Sequence, residues 1–468
     1  MTATVELPVW LLVLVLAFAI VAALDRVLVP SARWYLRRRM ERVVARLNQR
    51  LDRPIQPFKL MRRQDMILRL AHDPQVSSAV ARHARSTGSR EDVVFDRARA
   101  YAREIVPAFS ATIYFGFATR FARRFSRSLY DVRIAPSAAK GELIDRDATV
   151  VFVMNHRSNM DYVLVTWLVA ERSALSYAVG EWARIWPLSS LIRAMGAYFI
   201  RRRSRSPLYR RVLARYVQMS AEAGVTQAFF PEGGLSLDGR IGSPKIGLLS
   251  YLMAAEGRDL VFVPVGIAYD RVLEDRVLVE ADEAGVRRFR GGPVQIVGFV
   301  VRMLWRLVRG RFAGFGAAGV SFGSPISLRS WRATHGNAPD ALARHLMAEV
   351  GRTVPLLPVP LVAAAVSRAP TSRHGLDAAV RALVAQLERM GAIALLPEGG
   401  MAAGAAQGLR TLEKRGILVE EGGRLVPAPG KSALLAFYAA GVLERLDRDA
   451  ASAPDAKRIP DERTETGA

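Results

Sequence analysis

Cysteine is absent from this 468-residue chain. That excludes disulfides, thiolate zinc sites, iron–sulfur clusters and a cysteine nucleophile together. Histidine is scarce, with six in all, so each imidazole can be weighed individually. Acids are outnumbered, 43 against 67 lysines and arginines, giving a formal charge of +24 and a pI of about 11.1. Such an excess calls for an anionic partner: nucleic acid, an acidic membrane surface, or phosphorylated and coenzyme-A-like molecules. No zinc-finger spacing, RNA-recognition signature or aromatic–basic repeat accompanies the charge, so the nucleic-acid option has little else behind it and no nucleic-acid partner is expected. What the chain does have is apolar material. At 51% hydrophobic and 24% charged residues it has enough for a real core and a length that suggests two or three domains.

Residues Leu7 to Leu24 form an uncharged run, LPVWLLVLVLAFAIVAAL. At 1.5 Å per residue it reaches roughly 27 Å, just enough for one bilayer crossing. A cleaved signal peptide is the competing reading, but the usual basic n-region is missing, since Glu6 is the only side-chain charge before the run. Arginines gather on the other side (Arg26, Arg33, Arg37, Arg38, Arg39, Arg42 and onward to Arg53), which places the following chain in the cytoplasm by the positive-inside rule. The sequence thus predicts an anchor over 1–30 in the cytoplasmic membrane. From Trp34 to about Leu51 the pattern is that of a basic amphipathic helix suited to anionic lipids.

Residues 31–145 read as a helical, membrane-proximal region, punctuated at His72-Asp73-Pro74 and at Ser86 to Ser89. Between 146 and 330 the texture changes. Apolar strand-like runs (ATVVFVM, TQAFFP, LVFVPVGIAY, AGVSFG) alternate with helical stretches near 207–224 and 245–256, which predicts an α/β domain with a buried sheet flanked by helices. The segment 292–312 fits either a core helix or an element lying on the bilayer. Residues 331–446 read as a small helical region with a wing-like strand pair, and 447–468 as a polar, disordered tail.

The chemistry gathers around NHRSNMD, Asn155 to Asp161, directly after a strand-like run. His156 and Asp161 would point about 140° apart on a continuous helix, so they meet only if His156 sits in a loop and Asp161 in the first helical turn. An imidazole held on one nitrogen by a carboxylate can serve as a general base toward an alcohol. Taken alone the spacing is weak, arising by chance about 0.3 times in a chain with this many histidines. Three further stretches accompany it. GAYFIRRR, Gly196 to Arg203, clusters guanidiniums suited to phosphate. FPEGG, Phe230 to Gly234, brings Glu232 out where glycines admit close backbone approach. VPVGIAY, Val263 to Tyr269, is a buried strand. A second PEGG, Pro397 to Gly400, has no histidine block upstream in its own region and reads as coincidence.

In order and spacing these four blocks (NHRSNMD, GAYFIRR, FPEGGLS, VPVGIAY) resemble those of the glycerolipid acyltransferases, all within about 115 residues. The closer resemblance is to the bacterial glycerol-3-phosphate 1-O-acyltransferase and its dihydroxyacetone-phosphate relatives, and it extends to HDPQVSSAVARHARSTG before the first block and VSFGSPISL after the last. The resemblance implies that His156 deprotonates the acceptor hydroxyl with Asp161 orienting it. It further implies that Arg201, Glu232, Gly233 and Ser236 bind glycerol 3-phosphate and that Pro264 shapes the acyl-side pocket. No cofactor is implied beyond acyl-CoA or an acyl carrier protein thioester as co-substrate, with glycerol 3-phosphate and anionic membrane lipids as partners. One departure stands out. Where the bacterial enzyme usually has E-G-G-R-S-R-T-G-R, this chain reads EGGLSLDGR, so Leu235 and Leu237 replace two arginines and Arg240 alone remains. That opens 1-acylglycerol 3-phosphate as an alternative acceptor, with a catalytically idle lipid-binding homologue as the reading from a different class.

Overall fold

The computed structural model describes residues 8–136, 144–170, 172–180, 188–201, 204–285 and 314–452. Segment 292–312, Arg202, Arg203 and the tail from 453 lie outside them. The chain divides into two compact units, Met1–Ile55 and Gln56–Ala468.

The first unit is one long helix, Val9–Asn48, closed by the Ile55 N–H donating to Asn48 Oδ1 at 2.8 Å. Its leading turns expose Val9, Trp10, Val13, Phe18 and Val21. Among the described residues no helix is long and apolar enough to cross a membrane. The described helical part of the expected anchor, Val9 to Leu24, meets Asp25 without a break in the helix, and Leu7 lies outside the described residues.

The second unit is built on an eight-stranded sheet: β1 (Asp131–Ile134), β2 (Thr149–Met154), β3 (Ser176–Val179), β4 (Tyr198–Phe199), β5 (Gln227–Phe229), β6 (Leu260–Tyr269), β7 (Ala317–Phe322) and β8 (Ile326–Ser327). The order is β1-β7-β6-β2-β5-β3-β4, with β8 pairing β6. Strands β2 to β6 are mutually parallel, while β7 and β8 run antiparallel to β6. The sheet thus takes a strand, β1, from a stretch that reads as helical; it is a short edge strand, half exposed, with little apolar periodicity to announce it. β6, buried along its whole length, is the central strand that its unbroken apolar run predicts. Pro264 interrupts it at a tolerated place. There the neighbour on one side changes from β8 to β7, so the missing N–H costs no ladder bond on that side, and the Pro264 carbonyl still accepts from the Gly323 N–H at 2.8 Å.

Helices Arg63–Ala71, Pro74–Thr87, Glu91–Ile105 and Pro207–Glu222 share a core with β2, β5 and β6. The boundaries between them fall where the sequence is punctuated. Asp73 accepts from the Gln75 N–H at the head of one helix, and Gly88, at φ +62°, ends it. The C-terminal region contains helices Pro358–Arg368, Leu376–Arg389 and Gly400–Lys414, an antiparallel strand pair, β9 (Leu418–Glu421) with β10 (Arg424–Pro427), and the closing helix Ser432–Ser452.

Asp270 joins this region to the sheet. Fully buried just beyond β6, it accepts from the Ala317 N–H (2.8 Å) at the start of β7 and from the Val359 N–H (2.9 Å), one of the unpaired donors in the first turn of helix Pro358–Arg368. Burial pushes its carboxyl up to about 6, against the pull of those two N–H groups. A raised folded-state pKa means stability that is complete below the ordinary carboxylate value and is lost as pH rises through the elevated one. Measured by denaturant unfolding, the stability of the wild type relative to Asp270→Asn should therefore fall by up to about 3 kcal/mol between about pH 4 and pH 7. A pH-independent difference would contradict the assignment.

Candidate active site

Because β2 to β6 are parallel, their carboxyl ends lie along one edge, the usual ligand edge of such a sheet. His156 follows β2, Arg201 follows β4, Glu232 follows β5, and Tyr269 ends β6. Asn155 sets the spacing between two of these strands. Its Nδ2 donates to the Ile267 carbonyl (2.9 Å) and its Oδ1 accepts from the Ile267 N–H (2.8 Å), so a side chain continues the β2–β6 ladder for one more rung.

The expected loop-and-helix geometry is present. His156 lies in the loop, and Asp161 lies in the first turn of helix Met160–Ala170. His156 Nδ1 is 2.9 Å from Asp161 Oδ2, which also accepts the N–H groups of Arg157 (2.7 Å) and Ser158 (3.1 Å). Asp161 Oδ1 accepts from the Tyr269 hydroxyl at 2.7 Å. With four donors converging on the carboxylate, it serves as acceptor, the proton belongs on Nδ1, and Nε2 carries the lone pair. No described protein group bonds Nε2. The ring stacks on Phe230 (centroids 4.0 Å apart) and meets Tyr162 edge-on.

Glu232 does not face open solvent. Its Oε1 accepts the His156 N–H (2.9 Å) and its Oε2 the Gly242 N–H (3.0 Å), pinning the loop after β2 to the loop after β5. Burial raises its pKa; the Gly242 N–H and the Arg157 charge pull the other way. Gly233, at φ +67°, lies under the Lys245 side chain, whose Cδ is 2.8 Å from where a Cβ would stand. Ser236 reinforces the same junction: its N–H donates to the His156 carbonyl (2.9 Å) and its hydroxyl to the Arg240 carbonyl (2.6 Å).

Arg201 is half exposed and paired with Glu104, its Nη2 donating at 2.6 Å, which raises the guanidinium pKa further. It also lies over the rings of Tyr101 and Tyr209. Arg201 borders a cavity of about 230 Å³, together with Arg210, Lys245, Gly233, Ser204 and Tyr251, and with Tyr162 and Phe230, the two ring neighbours of His156. The structure therefore brings His156, Asp161, Glu232, Gly233, Ser236 and Arg201 to one edge. Arg240 is exposed and Pro264 is buried within β6; neither lines this cavity.

Four residues of the site escape sequence reasoning. Asn155 and Tyr269 lie inside quoted blocks, but only the fold reveals their partners. Glu274 anchors the loop after β2, accepting from the Ser158 hydroxyl (2.8 Å) and the Asn159 N–H (3.2 Å), from a stretch without any motif. The Arg157 guanidinium donates to the Gly239 carbonyl and abuts Gly441 of the closing helix. Among the described residues no group of three or more His, Asp or Glu is arranged to hold a metal ion.

Residues 138–268 match the Acyltransferase family model. That stretch is similar to an acyltransferase domain. The matched range encloses the first three sequence blocks and all but the last residue, Tyr269, of the fourth, and the resemblance read from those blocks is borne out. Among curated relatives, glycerol-3-phosphate acyltransferases align as follows: that of Alteromonas mediterranea is 26% identical over 59% of this chain and 33% of its own length. That of Xanthomonas campestris pv. campestris is 26% identical over 75% and 41%, and that of Ectopseudomonas mendocina 30% identical over 57% and 32%. The chain thus spans about a third to two-fifths of the length of these relatives. A solved 1-acyl-sn-glycerophosphate acyltransferase from Thermotoga maritima is similar at 19% identity and a TM-score of 0.33, over 62% of this chain and 96% of that one.

The Asn155 rung gives the sheet a simple stability test. Asn155→Ala strands the N–H and C=O of Ile267 in a buried position and is expected to cost about 2–4 kcal/mol. Denaturant unfolding would show it; a loss below measurement would mean that the two strands hold their ends together without this side chain.

Proposed function

We propose that this chain transfers a fatty acyl group from acyl-CoA or an acyl carrier protein thioester to the sn-1 hydroxyl of glycerol 3-phosphate, giving lysophosphatidate. The observation that carries the proposal is the His156–Asp161 pair. Nδ1 is held by a fully buried carboxylate, Nε2 is unbonded, and the two ring neighbours form part of a cavity wall that also holds Arg201, Arg210 and Lys245. The names of the curated relatives support the acceptor.

In this reading the acceptor phosphate lies among the three cations, with Arg210 and Lys245 supplying charge that Glu104 does not already engage as it does the Arg201 guanidinium. His156 Nε2 takes the proton of the attacking hydroxyl as its oxygen adds to the thioester carbonyl. The tetrahedral intermediate collapses, the C–S bond breaks, and the proton on Nε2 passes to the departing thiolate. No acyl-enzyme forms. Asp161 holds the ring in the tautomer that the first step needs and stabilises the imidazolium that follows. Glu232 acts by fixing the His156 backbone, since both of its oxygens are occupied by N–H groups. We further propose that the Leu7–Leu24 segment holds the chain at the cytoplasmic membrane, with the acyltransferase domain on the cytoplasmic side.

A second reading has a specific observation behind it. Leu235 and Leu237 stand where the related motif has arginines, and the cavity wall includes Ile200, Leu213, Phe229 and Leu248. An acceptor that already carries an acyl chain, 1-acylglycerol 3-phosphate, would use such a wall.

Washed membranes supplied with a palmitoyl thioester and either acceptor separate the two. Lysophosphatidate formed by the wild type, and reduced by about 10²-fold or more in His156→Ala, supports the first reading. Acylation of the lysolipid alone supports the second. Lys245→Ala should raise KM for the phosphorylated acceptor by about 10–100-fold and leave kcat nearly intact, as expected for one lost charged hydrogen bond. An unchanged KM would remove Lys245 from the phosphate site.

A further inference from the structure

Ahead of β1, residues Thr112–Ala118 form a π-helical segment that continues as the α-helix Thr119–Leu129. The two faces of this element differ sharply. Tyr114, Ala118, Ala122 and Leu129 are buried, and the α-helical part packs on helix Met160–Ala170, the helix that carries Asp161. The opposite face carries Ile113, Phe117 and Phe121, which are 37%, 58% and 51% exposed. Phe117, Phe121 and Phe125 form a ladder of near-parallel rings, with centroids 5.9 and 5.4 Å apart. Large side chains at i, i+4 and i+8 cover one stripe of a helix, and here nothing among the described residues covers two of the three rings.

Arginines line that stripe. Arg120, Arg123 and Arg124 are exposed and have no acidic partner among the described residues, and no acid occurs anywhere from Ser110 to Tyr130. Arg127 lies over the Trp167 ring. An apolar ladder flanked by unpaired guanidiniums is complementary to one surface in particular, a bilayer of anionic lipids. The rings enter the acyl boundary and the guanidiniums meet the headgroup phosphates.

We propose that Ile113, Phe117 and Phe121, with Arg120, Arg123 and Arg124, form a membrane-docking face of the second unit that selects anionic lipid. The inference depends on exposure, ring stacking and charge, and on no part of the acyl-transfer reading. It differs from the basic helix of the first unit, because this face belongs to the unit that contains the catalytic residues. Docking there would hold that unit on the lipid surface through the helix that abuts the Asp161 helix.

The absence of cysteine makes a clean test possible on the full chain. Single substitutions Phe121→Cys and, as a control, Ile393→Cys (Ile393 is 38% exposed) would each carry a nitroxide. The protein is reconstituted into phosphatidylcholine vesicles with or without phosphatidylglycerol. Accessibility to dissolved oxygen and to an aqueous nickel reagent is then read at each label. Docking predicts that the residue 121 label turns to oxygen and away from nickel in the anionic vesicles, while the residue 393 label stays aqueous. Adding Arg120→Gln, Arg123→Gln and Arg124→Gln should lower the docked population by about fivefold per guanidinium removed. The proposal is overturned if the residue 121 label stays as aqueous as the control in reconstituted protein, or if it is shielded equally without anionic lipid. Immobilisation in detergent before any bilayer is present would overturn it too, since a second copy of the chain would then cover the face. Acyltransferase activity in detergent, assayed separately, reports on the catalytic reading alone.

Discussion

The parallel pairing of β2 with β5 on one side and β6 on the other is the constraint from which the site follows. Val151 stands opposite both Gln227 and Phe262, so strands from three distant stretches of chain end together. That register brings the loops after β2 and β5 and the end of β6 together, each tied to another by hydrogen bonds. Asn155 continues the ladder past the end of β2, Glu232 ties the loop after β5 to the His156 backbone, and Tyr269 reaches Asp161 from the end of β6. A slip of one residue in either pairing would turn these side chains to the opposite face and dissolve the whole arrangement.

The acids of the site share a pattern. Asp161 and Glu232 are buried and Glu274 is partly so, and each accepts at least one backbone N–H from the loops that it joins. Burial raises the pKa of Glu232 and of Glu274, in the latter with Asp161 adding repulsion against the hydrogen bonds from Ser158 and Asn159. Carboxylates committed in this way act as fixed struts. Arg201, Arg210 and Lys245 border the cavity, Arg201 with its guanidinium paired to Glu104. In a chain of net charge +24, basic side chains thus stand on the cavity wall while these acids are turned to the loops.

The C-terminal region belongs to this architecture more than its wing-like pattern suggests. The Ile241 N–H donates to Glu444 of the closing helix at 3.0 Å, and the Val272 N–H to the Tyr438 hydroxyl at 3.2 Å. Gly239 approaches the same helix so closely that a Cβ would stand 2.0 Å from the Phe437 carbonyl oxygen. The loop that carries Glu232 and Ser236 is therefore braced from behind by residues some two hundred positions away. Leu235 and Leu237 fall within this braced loop.

The sequence by itself determined the local facts. The apolar runs of 149–154, 227–229 and 260–269 are buried strands because β-rich apolar segments of that length have no other favourable place. Punctuation at Asp73-Pro74 and Gly88 ends helices because proline and positive-φ glycine cannot continue them. The His156–Asp161 spacing was readable as a loop-to-helix pair, since the two residues are five positions apart and the link is local. Contacts across long separations had no such signature. Glu274 holding Ser158, Tyr269 capping Asp161, Arg157 reaching Gly239 and β1 joining β7 depend on which strands are neighbours, and apolar periodicity reports a strand's faces without naming its partners. The phenylalanine ladder shows the same division. Its i, i+4, i+8 spacing is plain in the sequence, but a core stripe has the same spacing, and only the packing of Tyr114, Ala118 and Ala122 inward leaves Phe117 and Phe121 in the open.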